Sequence, residues 1–485
     1  MRDHVIRLFA VILLFAVCAH AAVVEGVILD DETGNPLART NVTLTPLPGT
    51  LVQSVTVRTG ARGAFVILSV RPGWYVLRAT RRGYAPGEDG QSKPGRPGHA
   101  FEVADDRAGG FHEIHMAHLA AISGTVFDEN GIGIPNWQVH LYTTKKPMRR
   151  VASTMTDDRG DFRLGELNTG NYVVRSGPGP LEDKTTVLAT YSQNAVELKN
   201  AYPVYVVVGE TKKNVAIRPV KGKLLNLSGT LQAPGYPGRA KLTLITDTGR
   251  RDVASGSGTV PFTASAIQPG PIELVVSGSD PIGTPCGFFT EIRIDKDEFN
   301  QSFPCRFISP DRIQFTSVQK APIILRRVDL DGTSDVHTLA RDEMPIPGHW
   351  ELTVPRGDFY VQSVRCYNQP CSQAGDWYAF QSDSYRDVRI QLSSNYATIS
   401  GVVKLKDNLV LGAPVFVNNV DTGQSWEVRA DPQGHYAAIG LGPGTYTVLS
   451  SFDIDEVENL PLKPVTVRVY SPGQSITQDL ELYRP

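Results

Sequence analysis

An internal repeat constrains this chain more than any other feature. Glu25-Gly26-Val27-Ile28-Leu29-Asp30, Gly34-Asn35-Pro36-Leu37 and Asn41-Val42-Thr43-Leu44 recur in order as Ile122-Ser123-Gly124-Thr125-Val126-Phe127-Asp128, Gly133-Ile134-Pro135 and Gln138-Val139-His140-Leu141. They return as Ile399-Ser400-Gly401-Val402-Val403, Leu411-Gly412-Ala413-Pro414 and Val415-Phe416-Val417, and a weaker copy opens at Leu227-Ser228-Gly229-Thr230-Leu231. Each copy reads as a strand, a Gly/Pro turn and a second strand of period-two alternation. Further on, Arg62-Gly63-Ala64-Phe65, Arg159-Gly160-Asp161-Phe162 and Gln433-Gly434-His435-Tyr436 place a glycine just ahead of an aromatic residue. Glycine takes positive φ in the turn without strain, and the aromatic opens the next strand toward a core. A last shared element is Pro72-Gly73-Trp74-Tyr75-Val76-Leu77, matched by Thr169-Gly170-Asn171-Tyr172-Val173-Val174, Arg356-Gly357-Asp358-Phe359-Tyr360-Val361 and Pro443-Gly444-Thr445-Tyr446-Thr447-Val448. Successive strand side chains alternate faces, so Tyr75 with Leu77, Tyr172 with Val174, Phe359 with Val361 and Tyr446 with Val448 are expected on one buried face.

A recurrence of about 85 to 105 residues, with many short strands and no amphipathic helix, predicts an all-β chain of tandem antiparallel seven-stranded β-sandwiches of prealbumin-like or Ig-like type. A chain of 485 residues also exceeds what one hydrophobic core serves. The expected modules are 22–119, 120–220, 221–305, 306–395 and 396–485. The third and fourth are divergent: the turn around Gly270 matches loosely, and the fourth lacks an opening Ser-Gly-Thr. Residues 86–99, rich in Gly, Pro and charge, read as a long mobile loop of the first module.

The repeated residues resemble the carboxypeptidase regulatory-like domain, a prealbumin-like sandwich grouped with carbohydrate-binding-like folds and with the B-type repeats of bacterial adhesins. Gly26, Pro36-Leu37, Gly63-Ala64-Phe65 and Pro72-Gly73-Trp74-Tyr75 carry the likeness, with counterparts from Gly124 to Tyr172 and from Gly401 to Tyr446. Every shared residue is a turn or core residue, so the resemblance implies a fold and leaves function open.

Residues 1–21 combine Arg2 and Arg7, an apolar run from Leu8 to Val17 and the small-x-small Ala19-His20-Ala21, which reads as a secretory signal cleaved near Ala21. The apolar run is too short to span a bilayer core of about 30 Å. Cys18 follows Val17 rather than the small residue that precedes a lipidated cysteine. Export places the chain outside the cell or in the envelope, with no integral membrane segment. There, Cys286, Cys305, Cys366 and Cys371 are expected in disulfides, chain proximity favouring Cys286 with Cys305 and Cys366 with Cys371 among three connectivities. With 48 basic against 50 acidic residues, the charge balance argues against a nucleic-acid partner.

Motifs of chemistry are weak. His99-Ala100-Phe101-Glu102 has the spacing of a zinc peptidase pair but lies in a loop of a sandwich, and His112, His115 and His118 fall on alternating faces of a last strand. No Gly-x-Ser-x-Gly elbow occurs, and Ser255-Gly256-Ser257-Gly258 reads as a hairpin tip. Asp329-Leu330-Asp331-Gly332 and Asp295-Lys296-Asp297-Glu298 lack the spacing of a calcium loop and read as solvated turns. The Arg-Gly-Asp tripeptides at 159–161 and 356–358 occupy turn positions of the repeat, which explains their glycines. The expectation is therefore a non-enzyme with no catalytic residue, metal or cofactor.

Exposed aromatics are the lead for ligand binding, because stacking on a sugar needs a flat apolar surface on a rigid scaffold. Trp74, at an outward position, and Trp377 with Tyr378, just after a disulfide loop, are the candidates; Trp137, Trp350 and Trp426 read as packing residues. The partner expected is an extracellular glycan or protein. A binding or adhesion scaffold is the first reading; a structural spacer and an enzyme with its site in the divergent middle are the rivals.

Overall fold

The computed structural model describes residues 22–49, 52–104, 109–144, 148–181, 184–197, 200–307, 313–332, 336–339, 347–366, 369–382, 388–453 and 464–483. The expected signal segment lies outside the described residues. Apart from a single turn of 3-10 helix, the regular elements are strands. They enclose five large hydrophobic cores in chain order, centred on Ile28 with Tyr75, Ile122 with Leu141, Leu227 with Leu274, Leu325 with Trp350, and Val415 with Tyr446. Burying each such side chain is worth roughly 1.5–3 kcal/mol, so a core is the main reason each module holds together.

In the first module one sheet pairs Ala64–Val70, Ala22–Asp30 and Phe111–Met116, and the other is centred on Asn41–Pro46 and Gly73–Thr80. The strand–turn–strand pattern of the repeat therefore sends its first strand to one sheet and its second to the other. Each module has a place where its first strand runs parallel to a late one: Ala22–Asp30 with Phe111–Met116, Ala120–Val126 with Thr211–Ile217, Leu225–Gln232 with Glu298–Pro304, Ile313–Phe315 with Val388–Ser393, and Ala397–Leu405 with Ser475–Thr477 and Leu480–Tyr483. In the fifth module Leu480–Tyr483 also runs parallel to Gly444–Ser451, and the remaining pairings are antiparallel.

This pairing explains the glycine of the opening motif. A Cβ at Gly26, Gly124, Gly229 or Gly401 would overlap the backbone carbonyl oxygen of His112, Val215, Gln301 or Gln478, each on the parallel neighbour or just beyond it. Only glycine admits so close a backbone. At the second repeat turn, Gly63, Gly160 and Gly434 adopt φ of 69°, 79° and 77°, as a left-handed turn requires. Further on, the tyrosine hydroxyls of Tyr75, Tyr172 and Tyr446 each donate to the carbonyl four residues back, on Arg71, Asn168 and Gly442.

The fourth module corrects the sequence alignment. Its counterpart of Gly73-Trp74-Tyr75 is Gly348-His349-Trp350, which opens the central strand Gly348–Thr353 of the larger sheet. Gly348 has φ 149°, against 154° at Gly73 and 144° at Gly270. The segment 356–361, expected to hold this place, instead enters the smaller sheet through Tyr360–Cys366; Phe359 and Val361 only partly bury against the core that Trp350 and Leu352 fill. Both disulfides form as expected, Cys286–Cys305 and Cys366–Cys371, with Cα atoms 5.3 and 5.1 Å apart.

Side-chain contacts join the modules into a closed circuit. The first meets the second where Arg82 and Glu166 lie 3.7 Å apart and the Gly209 amide donates to the His118 carbonyl at 2.7 Å. The second meets the third and fourth through arginines described below. The fourth meets the fifth where the Gly375 amide donates to the Thr422 carbonyl at 2.7 Å and Gln424 donates to Asp376 at 3.0 Å. The fifth returns to the first: Arg429 reaches Glu88 at 2.6 Å and the Gly98 carbonyl at 2.9 Å, Arg96 pairs with Asp453 at 2.9 Å, and His99 packs on Phe452 with ring centres 4.2 Å apart. The 86–99 segment, expected to be a long mobile loop, is seated against the fifth module by its own polar groups.

Candidate functional site

The larger sheet of the fourth module presents one face to its core and the other to a cleft of about 540 Å3. Alternation sorts the side chains: Trp350, Leu352, Tyr378 and Phe380 pack in the core. Trp377, Ala379 and Gln381 project from the opposite side of Trp377–Ser382, next to His349 and Glu351 of Gly348–Thr353. Glu351 lies opposite Ala379, and His349 opposite Gln381. Ser372 and Ala374, from the edge strand Ser372–Ala374, pair with Ala379 and Trp377 and complete the wall.

The floor is electrostatically saturated. The Arg326 guanidinium lies over the Trp377 ring, 3.5 Å from its centroid, and also contacts Glu351. Arg149 of the second module reaches the same carboxylate at 3.4 Å. Burial, with the nearby Arg149 charge, draws the Arg326 pKa down to about 10, though Glu351 opposes the shift. The guanidinium stays charged at neutral pH, and a cation over an indole face in a desolvated setting is worth up to about 2 kcal/mol. At the rim His349 approaches Glu291 of the third module at 3.7 Å and meets Phe289 edge to face. The Gln381 amide and the Ser372 hydroxyl have no hydrogen-bond partner among the described residues. A second, smaller cleft of about 210 Å3 lies between the fourth and fifth modules, lined among others by Arg356, Asp376 and Trp426.

Sequence-selected residues fall out as follows. Trp377 lies on the cleft, and the position aligned with Trp74, held here by His349, lies beside it. Tyr378 is a correction: strand alternation turns its ring into the core, where burial raises its hydroxyl pKa, leaving only an edge on the smaller cleft. Trp74 is half-buried on the outer side of Gly73–Thr80, and its carbonyl accepts from Leu47. Trp137, Trp350 and Trp426 pack within or against their cores. His112 is buried rather than exposed, between Asp89 at 2.8 Å and the Gly109 carbonyl; these hydrogen bonds overcome burial and raise its pKa.

The Asp329-Leu330-Asp331-Gly332 turn, expected to be solvated, is a second correction. Asp331 is 0 % exposed and receives a bidentate Arg250 at 3.1 Å on both oxygens. Asp329 takes Arg250 at 2.9 Å and Arg327 at 2.6 Å. The Arg150 amide donates to Gly332, and the Leu330 amide to Glu273 at 3.1 Å. The turn thus plugs a pocket of arginines from the second and third modules. Nearby, Arg175 is 1 % exposed, pairs with Asp247 at 2.6 Å and stacks on Tyr191. Single-sequence reading missed this nexus because its partners lie in three modules; the Pro347-Gly348-His349-Trp350 motif, which repeats Pro72-Gly73-Trp74-Tyr75, was the signal that could have fixed the fourth module's frame.

Fold and cleft together define a class: an all-β chain of tandem sandwiches. Residues 23–98 and 121–197, in the first and second modules, match the carboxypeptidase regulatory-like domain. No curated protein matches the chain. Among solved structures, the Bacillus anthracis TIE protein is similar at 11% identity over 92% of this chain and 69% of its own, with a TM-score of 0.17. The minor pilin GBS52 of Streptococcus agalactiae aligns at 14% identity over 42% of this chain and 97% of its own, with a TM-score of 0.25. The shaft pilin SpaA of Lactobacillus rhamnosus GG aligns at 10% identity over 42% and 97%, with a TM-score of 0.26.

Proposed function

We propose that this chain acts outside the cytoplasm as a non-catalytic binding platform that presents surfaces of several sandwiches in fixed relation. The carrying observation is the return contact of the fifth module on the first, through Arg429–Glu88 and Arg96–Asp453. A spacer gains reach by setting modules in line; a circuit surrenders that reach and gains fixed geometry. Two formed disulfides suit an oxidising compartment, in keeping with the export signal read at residues 1–21. Among the described residues no helix is long and apolar enough to cross a membrane. The titratable groups that cluster, at the nexus, pair with one another.

Two measurements test the reading. Small-angle scattering of residues 22–485 should give a radius of gyration near the roughly 23 Å of a compact chain of this length; a value about twice that would favour the spacer. Immobilised 22–485 should then retain envelope polysaccharide or a purified surface protein saturably. Hydrolysis of any such material by the chain would return the enzyme reading.

A further inference from the structure

We propose that the 540 Å3 cleft on the fourth module is a saccharide site in which the apolar face of a neutral sugar ring stacks on Trp377 and its hydroxyls bond Gln381, Ser372 and His349. The proposal rests on the platform reading and names the chemistry of one of its surfaces. Its volume falls in the range of about 300–1,000 Å3 typical of small-ligand sites.

The ligand class follows from which groups are spent and which are free. Glu351, the carboxylate of the cleft, is held by Arg326 and Arg149, and Arg326 is in turn held by Glu351 and the indole. A charged ligand would have to break that triad and leave a buried partner uncompensated, which costs several kcal/mol. The groups left for a ligand are an amide, a hydroxyl and the accessible part of an indole, with the His349 imidazole at the rim beside Glu291. Amide and hydroxyl each both donate and accept, matching sugar hydroxyls, which do the same. The indole is clamped on one face by the guanidinium, so it is a preorganised surface whose ordering cost is already met by the fold. The wall elements are strands, not loops: the cleft side chains sit at adjacent register positions, Glu351 opposite Ala379 and His349 opposite Gln381, with Ser372 opposite Ala379. A disulfide, Cys366–Cys371, ties down the start of the Ser372–Ala374 edge strand that closes one side.

The test titrates residues 22–485 with β-1,4-linked glucose oligomers, β-1,4-linked N-acetylglucosamine oligomers and α-1,4-linked glucose oligomers, read by calorimetry and tryptophan fluorescence. Saturable binding to at least one series is expected, weakened roughly tenfold or more in Trp377→Ala and in Gln381→Ala. Tyr470→Ala, on the exposed surface of the fifth module, should bind as the parent does. Because Trp377→Ala also removes the support of Arg326, Gln381→Ala, which leaves the stack untouched, decides the matter if the tryptophan variant unfolds. Binding that survives Gln381→Ala and Trp377→Ala, or that is lost in Trp74→Ala instead, overturns the site. Binding to none of the three series also overturns it, and retention of a surface protein by the same chain then leaves the platform standing, whereas failure of both removes both.

Discussion

The nexus of the second, third and fourth modules and the contact of the first with the fifth both rest on arginine–carboxylate pairs, yet one is dry and the other is at the surface's edge. At the nexus Asp331, Asp329 and Arg175 are nearly inaccessible, so each charge depends wholly on its protein partners. At the return contact Arg429 and Glu88 keep 15% and 13% of their side chains exposed, and Asp453 keeps 23%. The carboxylates of the nexus are out of water's reach, while the arginines that hold them, Arg250 and Arg150, keep 39% and 20% of their side chains exposed. The nexus is therefore a permanent weld, while the return contact is a latch of modest strength.

The most damaging way to break this contrast is Asp331→Ala, which removes the buried acceptor of Arg250 and Arg150 while Asp329 still holds Arg250. A loss of about 3 kcal/mol, from the lost charge-assisted hydrogen bonds, is expected in thermal or urea unfolding; a change under about 1 kcal/mol would show that water replaces the carboxylate freely.

Next in size is the pH response of Glu273. Burial, with the Asp329 and Glu291 charges, raises its pKa to about 7 from 4.5, against the opposing Leu330 amide and Arg327. The folded state therefore holds its proton more tightly than the unfolded chain. The sign is fixed: nothing is lost below pH 4.5, and stability falls as pH rises from there through about 7. Glu273→Gln should remove this fall, making the variant more stable than the parent at pH 8 by on the order of 2 kcal/mol and nearly equal to it at pH 4. His140 acts in the other direction: burial, with Arg150 and Arg175, lowers its pKa to about 4, so it subtracts stability as pH falls from 6.5 toward 4.

Arg429→Ala should cost the latch about 1–3 kcal/mol, seen as a larger radius of gyration with little change in the unfolding midpoint of the other modules. An unchanged scattering curve would mean that the Arg96–Asp453 pair and the His99–Phe452 packing suffice to close the circuit. The smallest effect belongs to Arg82→Ala at the first–second boundary, where Arg82 and Glu166 sit 3.7 Å apart and are mostly exposed; unfolding should shift by less than about 0.5 kcal/mol.

The same contrast explains what was legible in the sequence. Gly26, Gly124 and Gly401 announced themselves because the same close approach of the late strand recurs in every copy and repeats the glycine, and the tyrosines after Gly73, Gly170 and Gly444 because strand alternation is a local rule. Trp377 and Tyr378 were legible together as aromatics following a disulfide loop; the alternation of their strand, which sends Trp377 to the cleft and Tyr378 to the core, separates them. The fourth module's frame slipped because two Gly-x-aromatic segments, at Gly348 and Gly357, compete within a few residues. The Asp329–Asp331 plug was illegible for a different reason: an aspartate in a turn looks the same whether water or another module's arginine faces it.

The glycine beneath the parallel strand pair also sets a tempo. In the first, second, third and fifth modules the opening strand must wait for a strand made near the module's end before its second edge is paired, and in the fourth Ile313–Phe315 has only that late strand as its partner, so local hairpins form early and the seam last. Contacts of such long sequence separation fold slowly. During synthesis each sandwich would remain open along that edge until its own final residues had emerged, and the latch between the fifth and the first could engage only after the whole chain had been made.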